Sequence, residues 1–458
     1  MNILFVNPPV VRYDHASAEN SFRTRGLMFR PWFRSNRLLY KLWEVGRDPQ
    51  ARYGVRAGSR WPWTSDTPIA PLHFPFIMAY AVSYLRKHHI NASLIDAVAQ
   101  EQHSYRDFMR DVRAASPDIV VIETSTPTFD IDIWLAEQIA AFSEVALAGS
   151  HLTYHAEMAG KQYPFVTYLL KGEYIQSALR MAQKRTPGIY ESQVVENLDS
   201  IPYPYRDYPE ATQYFDHTMP TPKPQLQLYG SKGCPFRCTF CLWPQTMFMR
   251  NVALRSPHAI AREIREVTER YGYKSLFFDD DTFNIGVDRI SALCDELKNI
   301  GLPWTMMGRL DTSPDWLFDK MVDSGCVGMR FGVETFDTDV LKRVGKGLER
   351  SDFKKTIRRL SKKYPDVMLR LFTMMDLPGQ SRSMHEKDMK ILADMGFSEN
   401  GNIYRQVQVS QCAPFPGTVM YEQLKHTYGE KALENTTLYD GGRDTVMAQL
   451  TRKIASKV

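Results

Sequence analysis

The chain has 458 residues, of which 43% are hydrophobic and 24% are charged, and its formal net charge is +5. This length predicts two to three domains, and the composition is that of a globular protein. The mild charge gives no argument for a nucleic-acid partner. No apolar run reaches the length of a membrane span, and the first nine residues lack the basic start of a signal peptide. The six cysteines do not form a disulfide framework, since three of them fall in one short loop.

The amino-terminal third carries short apolar runs that alternate with helical stretches. The apolar runs cover residues 3–6, 92–95, 119–122 and 145–148, and the helical stretches include residues 105–113 and 133–142. This alternation predicts a doubly wound, flavodoxin-like parallel sheet with a ligand crevice at the carboxyl ends of its strands. We assign this Rossmann-like domain of α/β class to residues 1–185.

An insertion rich in arginine and tryptophan interrupts the first domain at residues 11–70. It holds Trp32, Trp43, Trp61 and Trp63 together with ten arginines. We favour a cap over the active site. The alternatives are packing on the barrel with the arginines in solvent, and contact with a membrane or another anionic surface.

The rest of the chain predicts a second α/β domain. Residues 186–224 are rich in proline and tyrosine and are typical of a linker. The predicted strands then cover residues 226–228, 275–279, 304–308, 327–333, 368–374 and 404–410, and the predicted helices cover residues 256–271, 288–298, 313–323, 352–362 and 383–395. Six such units occupy fewer residues than the roughly 250 of a closed eight-unit barrel. We therefore predict a partial (β/α)6 barrel over residues 225–425, followed by a tail or terminal helix at 426–458.

Three cysteines lie in a loop just after the first predicted strand of the barrel. Cys234, Cys238 and Cys241 form a Cys-x3-Cys-x2-Cys pattern with no fourth cysteine nearby. Three thiolates leave a coordination position of a metal centre open, which is typical of catalytic rather than structural sites. All-thiolate loops of this kind favour a [4Fe-4S] cluster. The alternatives are a zinc site with a remote fourth ligand and reduced core cysteines.

Polar residues follow the later strands at the edge where active sites of parallel barrels lie. Asp279, Asp280 and Asp281 end the second strand, and Arg309 and Glu334 follow the third and fourth. Carboxylates suit ammonium and hydroxyl groups, and an arginine suits a carboxylate, so this set matches a zwitterionic amino acid joined to a ribose. A solvated loop or a divalent metal site is the alternative for the three aspartates.

The cysteine loop, with Phe240 before its last cysteine, resembles the signature of the radical S-adenosylmethionine (SAM) superfamily. In that family the iron without a protein ligand binds the amino and carboxylate groups of SAM, and the reduced cluster cleaves SAM to a 5′-deoxyadenosyl radical. The resemblance implies SAM contacts at Phe240, at Asp279, Asp280 and Asp281 for the amino group, at Arg309 for the carboxylate and at Glu334 for the ribose. It also implies an adenine wall made of Pro378, Gly379, Ala413 and Pro414.

The amino-terminal domain resembles the cobalamin-binding-like domain that precedes many radical SAM barrels. The resemblance rests on the opening Asn7-Pro8-Pro9, the turn after Ile95 and the loops at 149–153 and 171–173. The Asp-x-His-x-x-Gly motif, which supplies a histidine to cobalt, is missing here. Relatives without this motif include users and non-users of cobalamin, so this cofactor stays open. His151 either approaches a corrin or is satisfied by local hydrogen bonds.

The continuation Leu242-Trp243-Pro244-Gln245-Thr246 resembles a subgroup that includes the hopanoid-pathway enzyme remodelling a ribose-derived side chain. The subgroup also includes the apramycin-pathway aminoglycoside 3′-deoxygenase, a radical diol dehydratase. The resemblance implies hydrogen abstraction from a sugar, aminocyclitol or polyol, followed by dehydration, deoxygenation or rearrangement, in natural-product biosynthesis. The alternative is cobalamin-dependent radical SAM C-methylation, and a non-catalytic metal-binding module is a third interpretation.

The resemblance also implies a small set of partners. We expect a polyol or sugar substrate, an electron donor such as flavodoxin or ferredoxin, and we also consider a reductase that acts on the product. We expect no nucleic-acid partner and no transmembrane segment. An oxygen-sensitive cluster needs a reducing compartment, so we expect the cytoplasm. The sequence does not identify the catalytic acid or base.

Overall fold

The computed structural model describes residues 1–9, 53–56, 58–60, 63–65, 73–102, 105–193, 195, 197–216, 218–399 and 401–433. The chain divides into two compact units, residues 1–193 with 201–213, and residues 194–200 with 214–458. Most of the predicted insertion, including Trp32, Trp43 and Trp61, lies outside the described residues, as does the predicted tail beyond residue 433. Among the residues described, no helix combines the length and apolar character needed to cross a bilayer.

The first unit is built on a parallel sheet of six strands. In chain order the strands of this unit are β1 (Asn2–Asn7), β2 (Tyr53–Val55), β3 (Trp63–Ser65), β4 (Asn91–Asp96), β5 (Ile119–Glu123), β6 (Glu144–Ala148), β7 (Tyr168–Leu170) and β8 (Gly188–Tyr190). β2 and β3 form a separate antiparallel pair, and the other six lie in the order β4-β1-β5-β6-β7-β8. This is the flavodoxin-like order with one strand added, so the prediction of a doubly wound sheet is confirmed.

Helices connect the strands of the first unit. They are α1 (Phe76–Lys87), α2 (Tyr105–Ala114), α3 (Phe129–Ala140), α4 (Ser150–Gln162) and α5 (Ile175–Lys184). The central strand β5 is buried along its whole length, which explains its continuous apolar sequence. The sequence patterns do not predict β7 and β8, which have three residues each. β8 lies inside residues 186–224, so part of the predicted linker belongs to the sheet.

The second unit contains the strands of the predicted barrel. In chain order they are β9 (Gln225–Leu228), β10 (Ser231–Lys232), β11 (Ala253–Leu254), β12 (Ser275–Phe278), β13 (Trp304–Gly308), β14 (Cys326–Glu334), β15 (Met368–Met375) and β16 (Arg405–Gln411). Six of them form a parallel sheet in the order β16-β15-β14-β13-β12-β9. β9 and β16 are opposite edges of this sheet, so it is an open (β/α)6 barrel, as predicted.

The helices of the second unit alternate with these strands. They are α6 (Leu242–Thr246), α7 (Pro257–Tyr271), α8 (Val287–Ile300), α9 (Asp315–Asp323), α10 (Thr338–Arg343), α11 (Phe353–Lys363), α12 (Arg382–Asp394) and α13 (Val419–Tyr428). At the start of α7 the Ser256 side chain accepts a hydrogen bond from the amide of Ala259, and Pro257 occupies the first helical position. This is the predicted cap, and it satisfies an amide that the helix leaves unpaired. α13 crosses the predicted boundary at residue 425.

The barrel core lies between the sheet and its helices. Trp304 is fully buried there, packs edge-on against Phe278 and donates its indole N–H to the carbonyl of Ser324 at 3.0 Å. Cys294 is 1% exposed in the same core, as its helical spacing predicts. This core holds the strands in register, so the residues after each strand meet at one edge of the sheet.

Candidate functional site

The cysteine loop leaves the carboxyl edge of the barrel sheet after β9. The short antiparallel pair of β10 and β11 closes the base of the loop, and the chain turns at Gly233. Gly233 has a φ of 77°, and a Cβ there would lie 2.0 Å from the carbonyl oxygen of Asn251. Only glycine meets both demands. The backbone thus fixes where the loop begins.

Cys234, Cys238 and Cys241 are buried or half-buried in this loop. Burial raises the pKa of the Cys234 thiol and raises that of Cys241 further, and charges on Asp281 and on the neighbouring thiols add to both shifts. The hydroxyl of Thr282 lies 3.3 Å from Cys234 Sγ, a contact that sequence reasoning missed. These shifts favour the neutral thiols, and a positive centre among the three sulfurs would stabilise the thiolates instead.

In the part of the chain that the structure describes, no group of three His, Cys, Asp or Glu side chains is placed to hold a single metal ion. This finding gives no support to zinc at the cysteines or to a divalent metal at the aspartates after β12. A [4Fe-4S] cluster makes a different demand, because each thiolate binds a different iron atom. Three thiols in one loop fit such a cluster.

The three aspartates after β12 differ in their surroundings. Asp279 and Asp280 are fully buried. Asp280 accepts hydrogen bonds from the Ser231 hydroxyl and from the backbone just before it, so it ties β12 to the base of the cysteine loop. Asp281 is half-buried and accepts from the amide of Gly233 at 3.1 Å. The sequence does not distinguish the three aspartates. In the structure, the hydrogen bonds of Asp280 join β12 to the base of the cysteine loop, whereas Asp281 lies beside the cysteines.

Arg309, after β13, is buried and already engaged within the protein. Its guanidinium pairs with Asp311 at 2.7 Å and donates to the carbonyl of Lys346 at 2.7 Å. The guanidinium also lies over the ring of Phe236 in the cysteine loop, 3.7 Å from the ring centroid. The SAM carboxylate would have to compete with Asp311 for this arginine. The role of Arg309 in binding SAM stays a prediction.

Glu334, the last residue of β14, forms a buried ion pair with Lys346. Glu334 Oε1 lies 2.8 Å from Lys346 Nζ, and the side chains are 8% and 9% exposed. The pairing of β14 with β15 shifts register just before Glu334, which has a φ of 65°. Such a bulge changes the direction of a side chain. The Glu334 carboxylate lies against Gly332, where a Cβ would be 2.4 Å from Glu334 Oε1. Sequence reasoning missed Lys346, whose one signal in the sequence is its place between two glycines, just after α10.

The residues predicted to form the adenine wall lie in the loops after β15 and β16. Ala413 and Pro414 are buried, Pro378 is half-buried and Gly379 is exposed. Phe240 is half-buried in the cysteine loop. No observation tests these contacts, so they stay predictions. Cys412 packs its sulfur 3.4 Å from the sulfur of Met420 and is fully buried.

In the first unit, the described part of the insertion packs at the carboxyl edge of the sheet, where the strand order reverses between β1 and β5. Arg56 is buried and pairs with Asp132 at 2.7 Å. Glu123, at the end of β5, accepts hydrogen bonds from Ser59 at 2.7 Å and from the Tyr174 hydroxyl at 2.6 Å. The alternative in which the arginines of the insertion stay in solvent is therefore wrong for Arg56.

The start of α4 brings a serine and a histidine to the same edge. Ser150 Oγ is buried and has no hydrogen-bond partner among the described residues. His151 is 5% exposed, and its Nδ1 lies 3.1 Å from the hydroxyl of Thr126. Burial and, less strongly, the nearby His155 lower the pKa of His151 to about 3, so the ring is neutral at pH 7. This contact agrees with the alternative in which local hydrogen bonds satisfy His151.

Comparisons with known proteins find sequence similarity to one family model and to two proteins named as methyltransferases. Residues 228–392 match the model of the radical SAM superfamily. An uncharacterized methyltransferase of Pyrococcus horikoshii is 25% identical over 373 residues, which cover 76% of this chain and 78% of that protein. A cytidylyl-2-hydroxyethylphosphonate methyltransferase of Streptomyces wedmorensis is 30% identical over 161 residues, 32% of this chain and 29% of its own length.

Solved structures share the fold of both units. The radical S-adenosylmethionine methyltransferase TsrM from Kitasatospora setae, whose structure holds cobalamin and a [4Fe-4S] cluster, superposes with a TM-score of 0.61. The alignment covers 79% of this chain and 76% of that chain at 13% identity. At this identity the likeness shows a common fold alone, an α/β sheet domain together with an open parallel barrel.

Proposed function

Residues 228–392 form a radical SAM domain, and from this premise we propose that the chain is a cobalamin-dependent radical SAM methyltransferase. The observation that carries the proposal is the presence, in one chain, of a three-thiol loop on an open barrel and a flavodoxin-like sheet. The relative from Pyrococcus supports it, because that match extends over 76% of the chain, further than either unit alone, and the relative is named as a methyltransferase.

Cys234, Cys238 and Cys241 would hold the [4Fe-4S] cluster. When bound and reduced, the cluster supplies the electron for cleavage of SAM. The hydroxyl of Thr282 lies 3.3 Å from Cys234 Sγ, and it donates its one proton to the carbonyl oxygen of Asp281 at 2.8 Å. Thr282 would therefore line the cofactor site beside Cys234, and it would donate to the sulfur only by leaving that carbonyl. We also propose an electron donor such as flavodoxin or ferredoxin.

The strand ends of the barrel would bind and orient SAM. Asp281 lies next to the cysteine loop and suits the ammonium group of SAM. Glu334 suits the ribose hydroxyls, and the hydrogen bond from Lys346 Nζ at 2.8 Å fixes its carboxylate in direction. A carboxylate held in this way accepts hydrogen bonds without first reorganising. These residues would fix the cofactor, and the substrate would meet it at the same edge of the barrel.

The edge of the first unit fits cobalamin in the chemistry of its residues. Ser150 Oγ is a buried hydroxyl with no partner among the described residues, and such a group is satisfied when a ligand binds. The next residue of α4, His151, has a neutral ring that lies 3.1 Å from the hydroxyl of Thr126. We propose that Ser150, His151 and Thr126 contact cobalamin, which supplies the methyl group when bound.

Methyl transfer replaces the sugar dehydration or rearrangement that the sequence favoured. The relatives that match this chain include several named as methyltransferases and support the alternative. The carboxylates that suggested a polyol substrate have partners inside the protein. Asp280 is bonded to Ser231 and Glu334 is paired with Lys346, so these two no longer argue for a polyol.

The products of SAM test this proposal without knowledge of the substrate. Full-length protein is reconstituted anaerobically with iron, sulfide and hydroxocobalamin, then given a reductant and SAM. We expect S-adenosylhomocysteine that depends on cobalamin, together with 5′-deoxyadenosine that depends on the cluster. Cys238→Ala should lose 5′-deoxyadenosine, whereas Cys294→Ala, a cysteine change in the core, should keep both products.

Other product patterns decide against the proposal. 5′-Deoxyadenosine without S-adenosylhomocysteine, in protein that retains cobalamin through gel filtration, would favour dehydration or rearrangement. Failure to bind cobalamin at all would overturn the methyltransferase assignment. Full activity of Cys238→Ala would refute the cluster ligands.

A further inference from the structure

We infer that Gln245 is the positioning residue of the cysteine loop, and that its side-chain amide holds the loop in the shape that accepts a cluster. Gln245 lies in the short helix α6, four residues after Cys241. The inference rests on the proposed function in one respect, since it takes the three cysteines as cluster ligands. It assigns a role to a residue that contacts no thiol.

The amide nitrogen of Gln245 is the point on which the loop carbonyls converge. Gln245 Nε2 lies 2.6 Å from the carbonyl oxygen of Cys241, 3.2 Å from that of Thr239 and 3.3 Å from that of Cys238. An amide carries two protons, so at least one proton is shared between two of these carbonyls. Without this donor, three carbonyl dipoles would face one another. The loop therefore curls around Gln245.

The other end of the amide is fixed just as firmly. Gln245 Oε1 accepts from the Arg250 guanidinium at 2.6 Å and from the backbone amide of Val419 at 3.0 Å. Val419 begins α13, and the next residue, Met420, donates its amide to the carbonyl of Thr239 at 3.1 Å. Rotating the amide by half a turn would set oxygen against carbonyls and N–H groups against donors. The contacts thus permit one orientation of the amide.

Two substitutions separate donation by this amide from its other roles. Gln245→Met keeps the length of the side chain and removes both hydrogen-bonding ends. Gln245→Glu keeps the shape and the acceptor for Arg250 and Val419, but it replaces the donor to the three carbonyls with an oxygen. If Gln245 only fills space, the methionine variant resembles the parent. If Gln245 only anchors α13, the glutamate variant resembles the parent. Our inference requires a defect in both.

The measurement is the retention and the signature of the cluster. Full-length parent and variants are reconstituted, and iron release to a chelator and the electron paramagnetic resonance spectrum of the reduced cluster are recorded with and without SAM. We expect both variants to release iron at least about tenfold faster, the effect of losing the donor that three loop carbonyls share, and to show an altered spectrum. Gln423→Met, the same change at an exposed position of α13, should match the parent. A parent-like spectrum and iron release in either Gln245 variant would overturn the inference.

Thiol labelling of the apoprotein keeps this test independent of the proposed function. Cys238 and Cys241 should react faster in both Gln245 variants than in the parent, whereas the core residue Cys294 should stay protected in all of them. If Cys294 in the variants reacts as fast as Cys241, Gln245 supports the whole fold and the inference is wrong. If the parent takes up no cluster, the proposed function fails, and the labelling rates of Cys238 still decide the role of Gln245.

Discussion

Replacing Lys346 with methionine should destabilise the barrel unit by about 3 kcal/mol, because the Glu334 carboxylate then loses its counter-ion in a buried place. The two charged atoms lie 2.8 Å apart, and the side chains are 9% and 8% exposed. Removing one partner of a buried pair costs about 3–5 kcal/mol, and the lower end applies since both groups keep slight exposure. A loss of about 3 kcal/mol is a factor of roughly 150 in the folding equilibrium constant.

The loss of stability in Lys346→Met should be the same at neutral and mildly alkaline pH. Burial lowers the pKa of Lys346, but the charges of Glu334 and Cys238 outweigh burial, and the pKa stands above its ordinary 10.5. A raised lysine pKa gives stability that is fully present below the unfolded value and is lost only as pH rises through the folded value. Parent and Lys346→Met should therefore differ by the same amount at pH 7 and pH 9.

Thiol labelling during urea unfolding measures this difference in the barrel alone, because all six cysteines lie in the second unit. Cys294, Cys326 and Cys412 are buried and react only when the barrel opens. The matched control is Lys346→Met combined with Glu334→Gln, which removes both charges and should recover more than half of the loss. Equal stability of parent and Lys346→Met would refute the reasoning. A double variant as unstable as the single one would assign the loss to packing.

Two further predictions concern other groups. Burial and, less strongly, His155 lower the pKa of His151 to about 3 in the folded state, against 6.5 in the unfolded state. The contribution of the neutral ring to the free energy of unfolding is therefore complete above about pH 6.5. It falls as the pH drops towards 3, by about 2 kcal/mol at pH 5. His151→Asn should flatten this acid slope in hydrogen exchange of α4, and identical slopes would contradict the assignment. Asp281→Asn should weaken SAM binding about tenfold in calorimetry, because a charge-assisted contact is lost, while Asp280→Asn should mainly lower barrel stability. Parental affinity in Asp281→Asn would show that this carboxylate does not meet the SAM ammonium.

The sequence predicts the parts of the fold that produce a local pattern of residues. Parallel strands buried on both faces give apolar runs, so β1, β5 and β12 stand out. β7 and β8 have three residues each, which is too short for a pattern to form. The cysteine spacing is equally local, since all three thiols fall within eight consecutive residues, and it suffices to predict the radical SAM domain.

The candidate site is harder to predict because its contacts join distant segments. The bond from Val419 to Gln245 spans 174 residues, and the contact of Cys234 with Thr282 spans 48. Nothing near Gln245 in the sequence shows that three carbonyls surround it. The relatives support methylation better than the dehydration that the sequence favours. Carboxylates at strand ends suggest a polyol substrate in the sequence, whereas in the structure Asp280 and Glu334 have partners inside the protein.

The bond from Val419 to Gln245 also sets an order for biogenesis. Residues 234–241 leave the ribosome long before α13, yet two amides of α13 hold Gln245 and the carbonyl of Thr239. The cysteine loop therefore receives this anchor only after residues 419 and 420 have been synthesised. Until then the three thiols lie in a loop without its final shape, open to oxidation and to stray metals. Delivery of iron and sulfide is best matched to this chain after translation, when α13 has docked.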